Sequence, residues 1–194
     1  MAKTALLIID MQNVFISMTK TALPNVIRLS DFFRKHDLNQ IFTQHGHSKE
    51  ELAPPFTNQL VKKWGVEGSI AIGTHDFDLI PAIRTAQEDA AGENPIVRKN
   101  TYDAFLNTPL ETILKQRKIE RVVICGVMTD CCCDTTGRSA FNRGFETWMV
   151  SDATGSANQE QHMAGLKAFE FAFGKIITTT EVIKALEQES GRSS

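Results

Sequence analysis

Arg121-Val122-Val123-Ile124-Cys125-Gly126-Val127-Met128-Thr129-Asp130-Cys131-Cys132-Cys133 is the stretch from which the fold can be read. Val122, Val123 and Ile124 are β-branched and run on into Cys125, the pattern of a strand buried on both faces. Gly126 breaks the run as a turn residue, and a helix begins near Asp130 or Cys131. A strand that passes through a tight turn into a helix is the repeating unit of a parallel α/β sheet.

The same alternation extends in both directions. Ala5-Leu6-Leu7-Ile8-Ile9 is another continuous apolar strand. Residues 25–35 read as a helix, with Val26, Ile27, Leu29, Phe32 and Phe33 near helical spacing and Pro24 just before. Short strands follow at 40–43 and 96–98, and a helix at 109–117 with Leu110, Ile113 and Leu114 on one face. After the opening stretch come a helix at 135–142, a strand at 145–150, a helix at 159–171, a short strand at 175–177 and a closing helix at 179–187. This order predicts a mostly parallel sheet between two layers of helices. Residues 48–92 are irregular, with Pro54-Pro55, Gly65, Gly68, Gly73, Pro81 and one modest helix at 56–63. Such an insertion is expected to be a functional loop or an interface. It is read as part of a single domain spanning residues 1–194, whose polar tail, 188–194, frays.

Composition narrows the function classes. The chain has 194 residues, 42% of them hydrophobic and 23% charged, with a net charge of −2. This is ordinary globular composition, with no electrostatic footprint for nucleic acid and no apolar run long enough to span a bilayer. The start, Met1-Ala2-Lys3-Thr4, lacks the shape of a signal peptide. Four cysteines, three of them consecutive, suit free thiols in a reducing compartment. The expected setting is the cytoplasm, although leaderless export would leave no trace in the residues.

Ligands of open α/β sheets bind outside the carboxyl ends of the strands. Those ends carry Asp10 and Gln12, then Gln44, His45 and His47, then Lys99, and last the cysteines. A thiol in the first turn of a helix lies near the positive end of the helix dipole, which favours thiolate, and near unpaired N–H groups able to hold an oxyanion. Adjacent helical residues point about 100° apart, so at most one of the three neighbouring thiols is expected to be a nucleophile. Simple packing is the ordinary role for the others and for Cys125. A carboxylate to take the thiol proton and an ammonium to hold the ion pair would complete a cysteine hydrolase without a catalytic histidine.

Three blocks carry a resemblance. They are Leu7-Ile8-Ile9-Asp10-Met11-Gln12-Asn13, Lys99-x-x-Tyr102-x-Ala104-Phe105-x-x-Thr108-x-Leu110, and Gly126-Val127-Met128-Thr129-Asp130-Cys131-Cys132. In this order they resemble the isochorismatase-like cysteine hydrolase superfamily, over residues 4–183. The resemblance implies a three-layer α-β-α fold with a six-stranded sheet and an Asp-Lys-Cys triad falling on Asp10, Lys99 and Cys132. It also implies a cis peptide between Val127 and Met128, and an oxyanion hole from the N–H groups of Met128 and Cys132. Family members are commonly oligomers, so a homo-oligomer with a small-molecule substrate is implied.

The branch follows from the departures. A retained thiol favours C–N hydrolysis of a small amide, carbamoyl or ureido compound through a thioester. True isochorismatases, which share the Lys99-Tyr102-Ala104-Phe105 block, cleave a vinyl ether with the aspartate as general acid, and this is the alternative. Nicotinamidases carry an Asp-x-His metal pair where this chain has His45-Gly46-His47, and His36, His75 and His162 have no obvious spacing for a third ligand. No metal and no cofactor is therefore expected. Gln12, Phe15, Gln44, His45, Tyr102, Phe105 and Val127 are the expected substrate contacts. Phe169, Phe171 and Phe173 suit packing or a subunit contact, and Trp64 and Phe56 a neighbouring pocket or interface. A catalytically idle binding member is the non-enzyme alternative.

Overall fold

The computed structural model of the chain describes residues 2–89 and 94–191. Six strands form one sheet: β1 (Thr4–Ile9), β2 (Asn39–His45), β3 (Ile96–Lys99), β4 (Arg121–Val127), β5 (Glu146–Gly155) and β6 (Lys175–Ile177). Their order is β3-β2-β1-β4-β5-β6, and every neighbouring pair is parallel. The family fold and the strand count implied by the sequence are both present.

Alternation along the strands divides the core. Leu7, Ile9, Val122 and Ile124 face one layer, and Leu6, Ile8, Val123 and Cys125 face the other. The first layer is α4 (Leu110–Gln116), α5 (Asp134–Asn142) and α6 (Gln159–Ala172), through Leu110, Ala140, Leu166 and Phe169. The second is α1 (Leu23–Lys35), α3 (Pro81–Asp89) and α7 (Thr179–Gly191), through Val26, Leu29, Phe33, Ile83, Val182 and Leu186. Because both faces of β1 and β4 are covered, their apolar runs are continuous rather than alternating.

Three segments differ from the sequence expectation. The irregular insertion holds two helices, α2 (Gln59–Trp64) and α3, and of these α3 was not predicted. It is short and mostly polar, with Ile83 its only buried residue, so little apolar content marks it off from the irregular segment around it. Strand β5 runs past Val150 to Gly155 although Ser151 and Asp152 interrupt its apolar pattern. Those polar groups have partners: the Asp152 carboxylate accepts from the Thr179 N–H and hydroxyl, each at 2.8 Å. Helix α7 continues to Gly191 where fraying was expected. Glu189 on its last turn pairs with Arg121 at 3.0 Å and ties the helix to the sheet. Residues 192–194 of the expected tail lie outside the described residues.

The turn after β4 sets the site. Gly126 has φ +111, and a Cβ there would sit 2.1 Å from the Ile9 carbonyl oxygen, so only glycine lets β4 approach β1 at this point. The Val127–Met128 peptide is cis. The chain then enters a π-helical turn, Thr129–Cys133, that leads into α5.

Candidate active site

Strand ends bring Asp10, Lys99 and Cys132 together. Asp10 follows β1 with φ 47, a left-handed conformation that aspartate tolerates better than most residues. Its Oδ2 lies 2.6 Å from the Lys99 Nζ, and both side chains are fully buried. Oδ1 accepts from the Thr43 hydroxyl at 2.6 Å, and the Thr43 oxygen accepts from the Asp10 N–H at 3.0 Å. The Lys99 Nζ also donates to the Thr101 carbonyl at 3.0 Å and to the Cys132 Sγ at 3.4 Å. One ammonium therefore joins the carboxylate to the sulfur.

The electrostatics assign a resting state. Burial pushes Asp10 upward, but the Lys99 ammonium and then His45 outweigh it and hold the carboxyl below its ordinary value. Burial pulls Lys99 down, yet Asp10 and Cys132 carry it up to about 12. For Cys132 burial dominates: the thiol is pushed up despite the opposing Lys99 charge, and Asp10 adds to the upward push. The sequence reading expected the helix dipole to favour thiolate. At 6% exposure Cys132 is too dry for that, and its sulfur rests as S–H beside an ionised Asp10–Lys99 pair.

Above this group is a cavity of about 330 Å³. Phe15 and Met18, from a 3-10 helix over Asn13–Met18, form one wall. His45 and His47 at the end of β2, Leu60 and Trp64 of α2, and Tyr102 after β3 form others. Met128, Cys131, Cys132 and Gln161 also line it. Among the described residues none of the lining is Lys, Arg, Asp or Glu. The Trp64 Nε1 donates to the Tyr102 hydroxyl at 3.0 Å across the mouth.

Phe15, His45, Tyr102 and Met128 are where the sequence placed them, at the cavity. Four expected contacts are elsewhere. Gln12 is wholly buried, and its amide is spent on backbone: it donates to the His45 and Phe77 carbonyls and accepts from the His45 N–H. Gln44 donates to the Phe77 carbonyl and borders a different cavity. Phe105 packs in the core, its ring centroid 6.1 Å from that of Phe145. The Val127 side chain is core as well. Cys131, expected only to pack, lines the cavity beside Cys132, because the wider π turn directs neighbouring residues less sharply apart than an α-helix does. Thr43 and the Thr101 carbonyl were not foreseen, since nothing local marks a threonine as the partner of a residue far along the chain.

His45 and His47 are the metal question. Their rings meet edge to face with centroids 5.0 Å apart, and neither Nδ1 has a hydrogen-bond partner. Burial and the Lys99 charge hold His45 down to about 4, so it is neutral. Glu51, 3.7 Å from the His47 Nδ1, is held by Asn58 and Asn100. Among the described residues no three His, Cys, Asp or Glu side chains come together as a metal site. Two imidazoles beside a buried ammonium are a poor fit to a resident cation.

The chain is similar to several known proteins. The Isochorismatase domain family model matches residues 4–181. The chain is 36% identical to Nicotinamidase 3 of Arabidopsis thaliana, over 94% of this chain and 88% of that protein. It is 26% identical to a ureidoacrylate amidohydrolase of Azorhizobium caulinodans, over 96% and 91% respectively. A cysteine hydrolase from Pseudomonas syringae pv. phaseolicola 1448A superposes with TM-score 0.82 at 24% identity, covering 96% of this chain and 93% of that one.

Proposed function

The chain belongs to the isochorismatase family of hydrolases, and within it we propose a thiol amidohydrolase acting on small, uncharged amides. The observation that carries this reading is the Lys99 bridge between Asp10 and Cys132 at the floor of a cavity whose lining, among the described residues, has no Lys, Arg, Asp or Glu side chain.

In this reading the substrate carbonyl enters beside Cys132, and Asp10 takes the S–H proton as the sulfur attacks. Lys99 then faces both a carboxylic acid and the developing charge. The tetrahedral oxyanion is held by the N–H groups of Met128 and Cys132. The C–N bond breaks, the amine leaves with the proton from Asp10, and a water hydrolyses the thioester to restore the thiol. Keeping the thiol protonated until substrate arrives avoids burying a third charge beside the pair.

The cavity bears on the substrate class. Isochorismate carries two carboxylates, and among the described residues the cation beneath the cavity, Lys99, is already committed to Asp10. Carboxylate-bearing carbamoyl and ureido substrates meet the same obstacle. An uncharged aromatic or aliphatic amide meets none. Nicotinamide falls in this class, and the relation to Nicotinamidase 3 favours it as a second, narrower reading. The histidine arrangement supports a form without a resident metal. The reading also includes a cytoplasmic homo-oligomer. Phe171 is 92% exposed on α6, an apolar surface that suits a subunit contact, and light scattering on the purified protein tests it.

The test is a hydrolysis screen over nicotinamide, benzamide, butyramide, an N-carbamoyl amino acid and isochorismate, reading ammonia and pyruvate separately. Ammonia from the uncharged amides, lost in Cys132→Ala, is the expected result. Pyruvate release, or an equally active Cys132→Ala, refutes the proposal.

A further inference from the structure

Resting on the amidase reading, we infer that His162 and Thr129 are positioning residues that hold the Cys132 turn in the geometry its oxyanion donors need. Thr129 opens the π-helical turn and is fully buried. Its hydroxyl donates to the Gly155 carbonyl, where β5 ends, at 3.0 Å. The same Thr129 Oγ1 lies 2.8 Å from the His162 Nδ1, in hydrogen-bond contact with the imidazole. A side chain on α6 and a carbonyl on β5 thus fix the residue that starts the turn.

The next residue is gripped as well. Asp130 accepts a hydrogen bond from Ser156, and Gly165 of α6 lies against its backbone. A Cβ at Gly165 would stand 3.1 Å from the Asp130 Cα, tighter than ordinary contact. His162 is not among the residues that line the cavity, so it acts through the backbone it holds. That backbone carries the donors. The Cys131 and Cys133 N–H groups turn back to the Met128 carbonyl at 3.1 and 3.0 Å, whereas the Cys132 N–H between them makes no such bond. A donor of this kind works only when aimed in advance, and misplacement by about 1 Å costs on the order of 100-fold in rate.

Two reactions on the same sulfur separate positioning from mere support. p-Nitrophenyl acetate acylates a thiol through an oxyanion and releases p-nitrophenolate. Iodoacetamide alkylates it by direct displacement of iodide, with no oxyanion. The full chain is compared with His162→Phe, which keeps a ring and removes the Nδ1 hydrogen bond, and His162→Asn, which returns a hydrogen-bonding group near the Nδ1 position. Gly165→Ala, which presses on Asp130 from the same helix, is a second, independent variant should His162→Phe fail to fold. Acylation of Cys132 slowed by at least about 10-fold in His162→Phe and in Gly165→Ala, alkylation within about 2-fold, and recovery in His162→Asn are the expected results. Unchanged acylation, or acylation and alkylation falling together, overturns the inference while leaving the amidase reading in place. A wild-type Cys132 that is alkylated but never acylated refutes the amidase reading, and the inference with it.

Discussion

Replacing Asp10 by asparagine tests the buried ion pair directly. Asparagine keeps the size of the side chain and tolerates the φ of 47, so the change removes charge and little else. What it leaves is Lys99, fully buried, with its partner at 2.6 Å gone. Breaking a buried pair by deleting one charge costs about 3–5 kcal/mol. For a domain of this length that lowers Tm by roughly 6–20 °C. The pH dependence is a sharper test. In the wild type Asp10 lies below its unfolded value of 3.8, so its contribution is complete above that value and is lost as pH falls through the folded one. Lys99 rises from 10.5 to about 12, so its contribution is complete below 10.5 and is lost as pH rises through about 12. The pair therefore adds a flat plateau of stability from about pH 5 to pH 9. In Asp10→Asn burial dominates Lys99 and its folded value falls below the unfolded one, so stability climbs with pH across the same range. Urea unfolding followed by circular dichroism at several pH values reads both effects. A second change, Lys99→Met, should restore most of the loss in the double variant. An Asp10→Asn protein within about 1 kcal/mol of wild type and flat in pH would refute the reasoning.

Three further outcomes follow from the same structure. Because burial raises the Cys132 thiol above its ordinary 9.0, its alkylation by iodoacetamide should rise about tenfold per pH unit from pH 7 to 9; a plateau near neutrality would show a resting thiolate instead. His45 falls from 6.5 to about 4 on folding, so the unfolded chain binds more protons in that window and stability rises with pH there, by up to about 3 kcal/mol. His45→Gln should flatten this part of the stability curve. Gly126→Ala meets the Ile9 carbonyl at 2.1 Å in a left-handed conformation and should lower Tm severely or prevent soluble expression, whereas the same change at Gly144, open to solvent, should cost about 1 kcal/mol.

What the sequence revealed depended on how local the signal was. The apolar runs at Ala5 and Val122 are long and dry because both faces of those strands are covered, and they read directly. The short strand at Lys175–Ile177 read correctly as well. The meeting of Asp10, Lys99 and Cys132 was legible because strand ends are where polar groups converge and the spacing around Cys132 is distinctive. Gln12 was misread because polarity at a strand end looks the same whether the amide faces a ligand or is consumed by the His45 and Phe77 backbone. Phe105 was misread for the converse reason, since an aromatic a few residues after Lys99 does not announce which way it turns. His162 had no visible role at all. Its partner Thr129 is 33 residues away, and the contact exists only once α6 is docked.

The strand order has a mechanical consequence. Asp10 just after β1 and Lys99 at the end of β3 lie on the β1-β2-β3 side of the sheet, whereas Cys132 follows β4, the first strand of the other side. The Asp10–Lys99 pair and the Cys132 sulfur thus ride on opposite banks of one seam, sealed by the β1–β4 ladder and by the Gly126 contact with Ile9. A small shear along that seam changes the gap between sulfur and carboxylate while leaving either bank intact. Turnover therefore gauges the registration of the two halves. In mild denaturant it should fade before the helices melt, when the halves still stand but no longer meet in step.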